Sequence, residues 1–112
     1  MRVVFHHSTD DAKLHARTVS NIANLLDDET VTVDDVALVT NSGGLVLVTE
    51  ESPERERVEQ LLDRGVAIKQ CRNTIRGAGI TEADLVDGVE VVPSGVGELA
   101  RLQDAGYGYI KP

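Results

Sequence analysis

The segment Asp35-Val36-Ala37-Leu38-Val39-Thr40, followed by Asn41-Ser42-Gly43-Gly44, decides the predicted fold. Its apolar run has the length of a strand and does not alternate with polar residues, which is typical of a strand covered on both faces. Asparagine, serine and glycine then favour a turn. Strands of this kind occur in parallel sheets, so the segment predicts an α/β protein.

Strand and helix patterns alternate five times along the chain. Apolar runs predict strands over residues 2–6, 35–40, 66–70, 89–92 and 107–110. Helix patterns between them predict helix starts within Ser8–Asp10, at Ser52, at Arg72, at Thr81 and at Pro93. Residues 45–48 are predicted to form a loop or a short helical turn packed on the sheet. The alternation predicts one α/β domain, residues 1–112, whose parallel sheet is covered on both sides.

The composition excludes several classes of partner. Eleven Lys and Arg against nineteen Asp and Glu give a formal net charge of −8. Nucleic acids and anionic membranes both attract basic proteins, so we expect neither as a partner. No apolar run approaches the roughly 20 residues that cross a bilayer, and the N-terminal run breaks too early for a signal peptide. We therefore expect a cytoplasmic protein. A high-salt cytoplasm and an ordinary acidic protein both fit this charge.

Ligands of parallel α/β sheets bind at the carboxyl ends of the strands. The loops expected at that edge are residues 6–10, 41–45, 71–76 and 93–97. The candidate site residues within them are His6, Asn41, Gly43, Cys71, Arg72, Asn73, Arg76, Ser94 and Gly95. Residues 93–97 also place two glycines at a strand-to-helix junction, where backbone N–H groups can receive an anion.

Cys71 is the single cysteine and the candidate nucleophile. It lies between a predicted strand and a predicted helical turn, where unpaired backbone N–H groups are available. Lys69, Arg72 and Arg76 are near it in the sequence, and both N–H groups and cations favour thiolate over thiol. The alternative is a buried, inert thiol that packs as a small hydrophobic side chain. One cysteine also excludes a disulfide framework and a zinc site built on several thiolates.

The three histidines have different predicted environments. His6 and His7 are adjacent on a strand, so they point to opposite faces and at most one enters the site. His6 is either a proton carrier beside Cys71 or a strand-end histidine bonded to the backbone. His15 lies among polar residues and is predicted to face solvent. No pair of ligands has the helical spacing of a metal site, so neither a metal nor a cofactor is expected.

Two resemblances bear on function. The loop Cys71–Arg76 resembles that of rhodanese sulfurtransferases, except that Thr74 stands at a position that is usually glycine. Over nearly its whole length the chain resembles the DsrE-like family of small intracellular sulfur-handling proteins. That resemblance is carried by Val3–His6, Ala67–Arg76 and Gly88–Leu99, by Asn41 and Gly43, and by Gln103, Gly106, Tyr107, Tyr109 and Ile110.

The DsrE-like resemblance implies a doubly wound, mostly parallel five-stranded sheet with helices on both faces and flavodoxin-like layering. It implies a homo-oligomer, commonly a trimer or hexamer. It also implies a persulfide on a cysteine, here Cys71, and a partner protein that donates or accepts the sulfur.

Two functions are consistent with the sequence. In the first, Cys71 accepts sulfane sulfur and passes it to a partner, and Arg72, Asn73 and backbone N–H groups stabilise its thiolate. In the second, the protein is a non-enzymatic oligomeric module that binds a small anionic metabolite through Asn41, Ser94 and Gly95. Cys71 has an ordinary thiol pKa in the second case, so the pH dependence of its reactivity distinguishes the two.

Overall fold

Strand and helix alternate in the computed structural model, which describes residues 1–112. The strands β1 to β5 are Arg2–His7, Asp35–Thr40, Ala67–Cys71, Glu90–Val92 and Gly108–Ile110. The helices α1 to α4 are Ala12–Asp27, Arg55–Asp63, Arg72–Ala78 and Gly95–Asp104. Two 3₁₀ helices span Ser42–Val48 and Glu82–Asp84. The predicted α/β fold is therefore confirmed, and residues 45–48 do form part of a short helical segment.

All five strands are parallel and lie in the order β4-β3-β2-β1-β5. The chain winds outward from β1 to β4 and then returns to place β5 on the other side of β1. Phe5 of β1, for example, pairs with Leu38 of β2 and with Ile110 of β5. The order of the strands therefore reverses beside β1, and ligands of open parallel sheets bind at such reversals.

The two faces of the sheet are covered unequally. On one face, strand residues such as Phe5 and Leu38 pack with Ile22 of α1 and Val58 of α2 in a core of 16 buried residues. Burying each such side chain contributes about 1.5–3 kcal/mol. On the other face, a smaller cluster joins strand residues to α4, and its members are Val4, Ala37, Val39, Leu99 and Leu102. Helix α4 is thus the main cover of the second face.

Three helix starts differ from their prediction, and one of them is α4, which begins at Gly95 instead of Pro93 because Ser94 caps it. Helix α1 begins at Ala12, because the Asp11 carboxylate accepts hydrogen bonds from the N–H groups of Lys13 and Leu14 and caps the helix. Before α2, the side chain of Ser52 accepts a hydrogen bond from the Glu54 N–H and forms a separate turn, so that helix begins only at Arg55. No helix is both long enough and apolar enough to cross a membrane.

Candidate functional site

Cys71 ends β3 and caps α3 at the carboxyl edge of the sheet. Its thiol is buried, with 7% of the residue exposed. The backbone N–H groups of Gly95, Thr74 and Asn73 and the Thr74 hydroxyl lie around the thiol and act on its pKa, although Cys71 caps α3 without a side-chain hydrogen bond. Neutral donors from two helices therefore surround the sulfur.

These donors set the protonation of the thiol. Burial raises the pKa of Cys71, because it disfavours the charged form. The N–H and O–H dipoles of Gly95, Thr74 and Asn73 outweigh burial and lower that pKa below its ordinary value. No cation contributes to this lowering. The site therefore stabilises a thiolate through N–H and O–H dipoles, and thiolate is the nucleophilic form of cysteine.

Thr74 is held in the orientation that donates to sulfur. Its hydroxyl oxygen accepts a hydrogen bond of 2.9 Å from the backbone N–H of Ser42, which leaves the hydroxyl hydrogen free for Cys71. Ser42 has a φ of 48°, and it is the single non-glycine residue with a positive φ. Such backbone strain often occurs at functional sites. The only sequence signal for Thr74 was its departure from the rhodanese loop.

Gly95 brings the first turn of α4 against the cysteine. A Cβ atom at this position would lie 3.2 Å from the Asn41 Cβ and 3.3 Å from the Cys71 Cβ. The absence of a side chain lets the Gly95 N–H approach the sulfur. Ser94 caps the helix instead of facing the site, since its Oγ accepts a hydrogen bond from the Gly97 N–H.

Replacing Gly95 with alanine is expected to raise the Cys71 pKa by about one unit, because the added methyl group pushes α4 away from the sulfur and weakens one charge-assisted hydrogen bond. Gly97→Ala is the matched control. Its Cβ would meet only Ser94 at ordinary contact distances of 3.5 Å and more. The pH dependence of iodoacetamide alkylation measures both pKa values. An unchanged pKa in Gly95→Ala would show that the α4 N–H is dispensable.

The cations near Cys71 in the sequence are directed elsewhere. Lys69 forms ion pairs with Glu98 at 2.6 Å and with Glu90 at 3.7 Å. Arg72 pairs with Glu82 at 2.8 Å on the surface. Arg76 is exposed in the last turn of α3, and no carboxylate pairs with it. The thiolate-stabilising role that the sequence suggested for cations is thus filled by backbone N–H groups.

The Lys69–Glu98 pair fastens α4 to the sheet. Lys69 points to the same face of β3 as Cys71, and Glu98 is buried in the first turn of α4. Burial lowers the pKa of Lys69, but the hydrogen bond and charge of Glu98 raise it more, so the net shift is upward. Arg101 contacts the second carboxylate oxygen of Glu98. This anchor lies three residues from Gly95 and positions the helix end that faces the sulfur.

His6 contacts two polar side chains and neither of them is Cys71. Its Nδ1 lies 2.6 Å from the Tyr109 hydroxyl, and its Nε2 lies 3.0 Å from Asn41 Oδ1. Burial lowers the pKa of His6, the Asn41 hydrogen bond raises it, and the charge of Lys111 lowers it further. The pKa is below 6.5 overall, so the ring is neutral at neutral pH. Asn41 stands between His6 and Cys71.

The other two histidines form a buried pair on the opposite face of β1. His7 Nε2 lies 2.5 Å from His15 Nδ1, and Thr18 Oγ1 lies 3.1 Å from His7 Nδ1. Burial, followed by the charge of His15, lowers the pKa of His7 to about 4. The prediction that His15 faces solvent is wrong, because His7 provides a buried polar partner for it.

Gly43 has a packing role. A Cβ atom there would lie 2.5 Å from the Asp10 backbone nitrogen and 2.8 Å from the Thr9 carbonyl carbon, so only glycine fits against this loop. Of the predicted site residues, the structure brings Cys71, Asn73, Gly95, Asn41 and His6 together. No group of three or more His, Cys, Asp or Glu side chains comes close enough to hold a metal ion.

An open groove of about 390 Å³ lies beside this cluster. Its lining is mostly apolar and consists of His6, Val96, Leu99, Ala100, Gln103 and Tyr109. Val96 and Tyr109 are largely exposed, at 69% and 42%. An apolar surface therefore adjoins the polar site.

A fully parallel α/β sheet with a thiolate-stabilising cysteine at its carboxyl edge defines the class of this protein. The model of the DsrE/DsrF-like family matches residues 1–112, and the chain belongs to this family. The resemblance found in the sequence is thereby confirmed.

Solved structures are similar to the chain over nearly its whole length. MTH1491 of Methanobacterium thermoautotrophicum, a protein of unknown function, is 38% identical, with a TM-score of 0.92 over 99% of this chain and 98% of that one. The ychN protein of E. coli is 19% identical, with a TM-score of 0.78 over 100% of both chains. BT1422 of Bacteroides thetaiotaomicron is 15% identical, with a TM-score of 0.72 over 99% of this chain and 94% of that one. The search of curated proteins finds no match.

Proposed function

We propose that this protein is a sulfur carrier that binds sulfane sulfur as a persulfide on Cys71 and passes it to a partner. The observation that carries the proposal is the set of donors on the Cys71 sulfur, provided by Gly95, Asn73 and Thr74. Membership of the DsrE/DsrF-like family supports a role in sulfur relay. A thiol that merely fills space needs no such donors.

The proposed chemistry uses the thiolate twice. In loading, the Cys71 thiolate attacks the outer sulfur of an alkyl persulfide, the S–S bond of the donor breaks, and the donor leaves as its thiolate. In discharge, the thiolate of the acceptor attacks the outer sulfur on Cys71, and the electron pair of the broken bond returns to the Cys71 sulfur. A thiol of lowered pKa is a good leaving group, so the same N–H donors favour discharge.

The proposed function also includes a cellular location, the cytoplasm, and an oligomeric state, a trimer or hexamer. A persulfide carrier with one free thiol suits the cytoplasm, where thiols stay reduced. The exposed apolar side chains of Val96, Tyr109 and Ile110 lie on and beside the edge strand β5, and they support contact with a second copy of the chain in a trimer or hexamer. The acceptor is then a protein whose thiolate reaches the carboxyl edge of the sheet.

Incubation with an alkyl persulfide made from glutathione tests the proposal directly. Intact mass is expected to increase by one sulfur atom in the wild type and not in Cys71→Ser, and native mass on the same sample reports the assembly. A control with glutathione alone is expected to add no sulfur. If the wild type gains no sulfur, or if Cys71→Ser gains it equally, the carrier function is wrong.

A titration of thiol reactivity separates the carrier from the metabolite-binding module. The carrier predicts an alkylation midpoint clearly below the ordinary cysteine value of about 8.5. The module predicts a midpoint at that value, with Cys71 a bystander. The lowered pKa of Cys71, caused by the N–H and O–H dipoles around it, favours the carrier.

A further inference from the structure

Three side chains form a hydrogen-bonded series that leads from the edge of the sheet to the cysteine. Tyr109 bonds to His6 Nδ1, and His6 Nε2 bonds to Asn41 Oδ1. The series begins beside β1, where the strand order reverses, and ends next to Gly95 and Cys71. None of the three side chains is among the groups that lower the pKa of Cys71.

The order of donors and acceptors in this series follows from the amide oxygen of Asn41 facing the ring of His6. An amide oxygen only accepts hydrogen bonds, so His6 Nε2 must donate to Asn41 Oδ1. Because His6 is neutral, its Nδ1 then carries a lone pair and accepts the hydroxyl hydrogen of Tyr109. A protonated His6 would also donate from Nε2. The orientation with Oδ1 toward the ring is thus compatible with both the neutral and the protonated His6.

In this orientation the amide nitrogen of Asn41 lies beside Gly95, the residue that packs against Cys71. Asn41 Nδ2 lies 3.5 Å, and the Cys71 Cβ 3.3 Å, from the point that a Cβ on Gly95 would occupy. Asn41 precedes the 3₁₀ helix Ser42–Val48. Asparagine at this position ordinarily caps the helix with its side chain, but Asn41 does not. The Nδ2 group is therefore not used as a cap, and it lies on the Gly95 side of the site.

We propose that Asn41 Nδ2 donates a hydrogen bond to the terminal sulfur of a Cys71 persulfide, and that His6 and Tyr109 are positioning residues that fix the orientation of this amide. The inference rests on the proposed carrier function and deepens it. The backbone donors hold the inner sulfur, and Asn41 holds the outer one. The reversed amide would instead place Oδ1 against the anionic outer sulfur and repel it.

The exchange equilibrium with glutathione persulfide measures this interaction. In that reaction the Cys71 thiol and the alkyl persulfide become the Cys71 persulfide and the alkyl thiol, so no oxidant or reductant is consumed. The loaded fraction is read by intact mass at pH 7. A hydrogen bond to an ionised terminal sulfur shifts the equilibrium toward the loaded protein, and its loss is expected to lower the equilibrium constant roughly tenfold or more.

The variants separate the positioning role from a structural one. Asn41→Ala is expected to lower the constant roughly tenfold, and Asn41→Asp further, because the second carboxylate oxygen would face the outer sulfur. Tyr109→Phe removes the hydrogen-bond partner of His6 Nδ1, loosens the ring that holds the amide, and is expected to lower the constant by a smaller factor, roughly two- to fivefold. Alkylation of the unloaded thiol is expected to stay within twofold of the wild type in Asn41→Ala. Asn24→Ala and Asn24→Asp, on the exposed side of α1, are the matched controls.

Each outcome decides the inference. Lowered loading of the Asn41 variants with normal thiol alkylation supports it. If the wild type loads and the Asn41 variants load equally well, the role of Asn41 is wrong while the carrier function stands. If thiol alkylation falls in parallel with loading, Asn41 acts on the site structure and the inference is overturned. If the wild type does not load at all, the carrier function fails and takes this inference with it.

Discussion

Replacing Glu98 with alanine is expected to lower the free energy of unfolding by about 2–4 kcal/mol, because it leaves the Lys69 ammonium without its closest partner in a partly buried position. Glu98 is buried, and its carboxylate accepts the 2.6 Å hydrogen bond from Lys69. Glu90 is 3.7 Å from Lys69 and compensates only in part. Urea unfolding of wild type and variant measures the difference.

The same variant is expected to reduce the reactivity of Cys71. Glu98 lies in the first turn of α4, three residues after Gly95, so a loosened helix end weakens the N–H donor to the sulfur. The alkylation midpoint is then expected to rise toward the ordinary cysteine value. A loss of stability with an unchanged midpoint would show that the ion pair holds the fold without positioning the site.

Two comparisons isolate the buried pair. Glu82→Ala breaks the exposed Arg72–Glu82 pair on α3 and is expected to cost less than about 1 kcal/mol. The double variant Lys69→Met with Glu98→Leu removes both charges and is expected to recover much of the stability lost in Glu98→Ala, since apolar side chains can replace a buried ion pair. If Glu82→Ala and Glu98→Ala lower the free energy of unfolding equally, burial of the Lys69–Glu98 pair is not the cause of the loss.

The sequence predicted the sheet and the place of the cysteine because both depend on local patterns. An unbroken apolar run such as residues 35–40 identifies a buried strand by itself, and strand alternation with helices then implies a parallel sheet. From the carboxyl-edge rule, the sequence predicts that Asn41, Cys71 and Gly95 lie at the same edge of the sheet. In the structure, Asn41 and Cys71 both pack against Gly95.

The hydrogen-bond partners were not predictable, because they depend on the register between distant elements. Lys69 and Glu98 are 29 residues apart, and the Ser42 N–H reaches Thr74 over 32 residues. Closeness in sequence therefore gave the wrong partners for the cations. Lys69 and Arg72 flank Cys71 along the chain, but each forms an ion pair with a carboxylate from another element. The burial of His15 similarly depends on His7, which comes from another element.

That histidine pair makes stability fall with acid. An unfolded histidine binds its proton near pH 6.5, whereas the pKa of folded His7 is about 4, and the pKa of His15 is lowered chiefly by burial. Between these values the unfolded chain holds more protons than the folded one, so the free energy of unfolding decreases as pH falls from 6.5 to 4. The expected loss is about 2–3 kcal/mol.

The charges facing the pair act in opposite directions. Lys111 and His6 disfavour protonation of His7, whereas Asp10, Asp11 and Glu54 favour protonation of His15. The ring contact of 2.5 Å decides the balance, because the two rings can share one proton but a second would place two cations against each other in a buried site. Only one of the two histidines is therefore expected to gain a proton before the fold opens.

The free energy of unfolding, measured in urea from pH 7 to pH 4, tests whether the His7–His15 pair causes the acid sensitivity. The proteins compared are the wild type and the double variant His7→Gln with His15→Gln. The double variant is expected to be less stable at pH 7 but to lose about 2–3 kcal/mol less on acidification, because the glutamines do not titrate. Surface carboxylates titrate equally in both proteins, so the difference between the two slopes isolates the pair. His6→Gln, which removes the half-buried histidine of the site, is the control and is expected to keep most of the wild-type slope. Equal slopes in wild type and double variant would assign the acid sensitivity to other groups, and a clearly shallower slope in His6→Gln would place part of it at the candidate site.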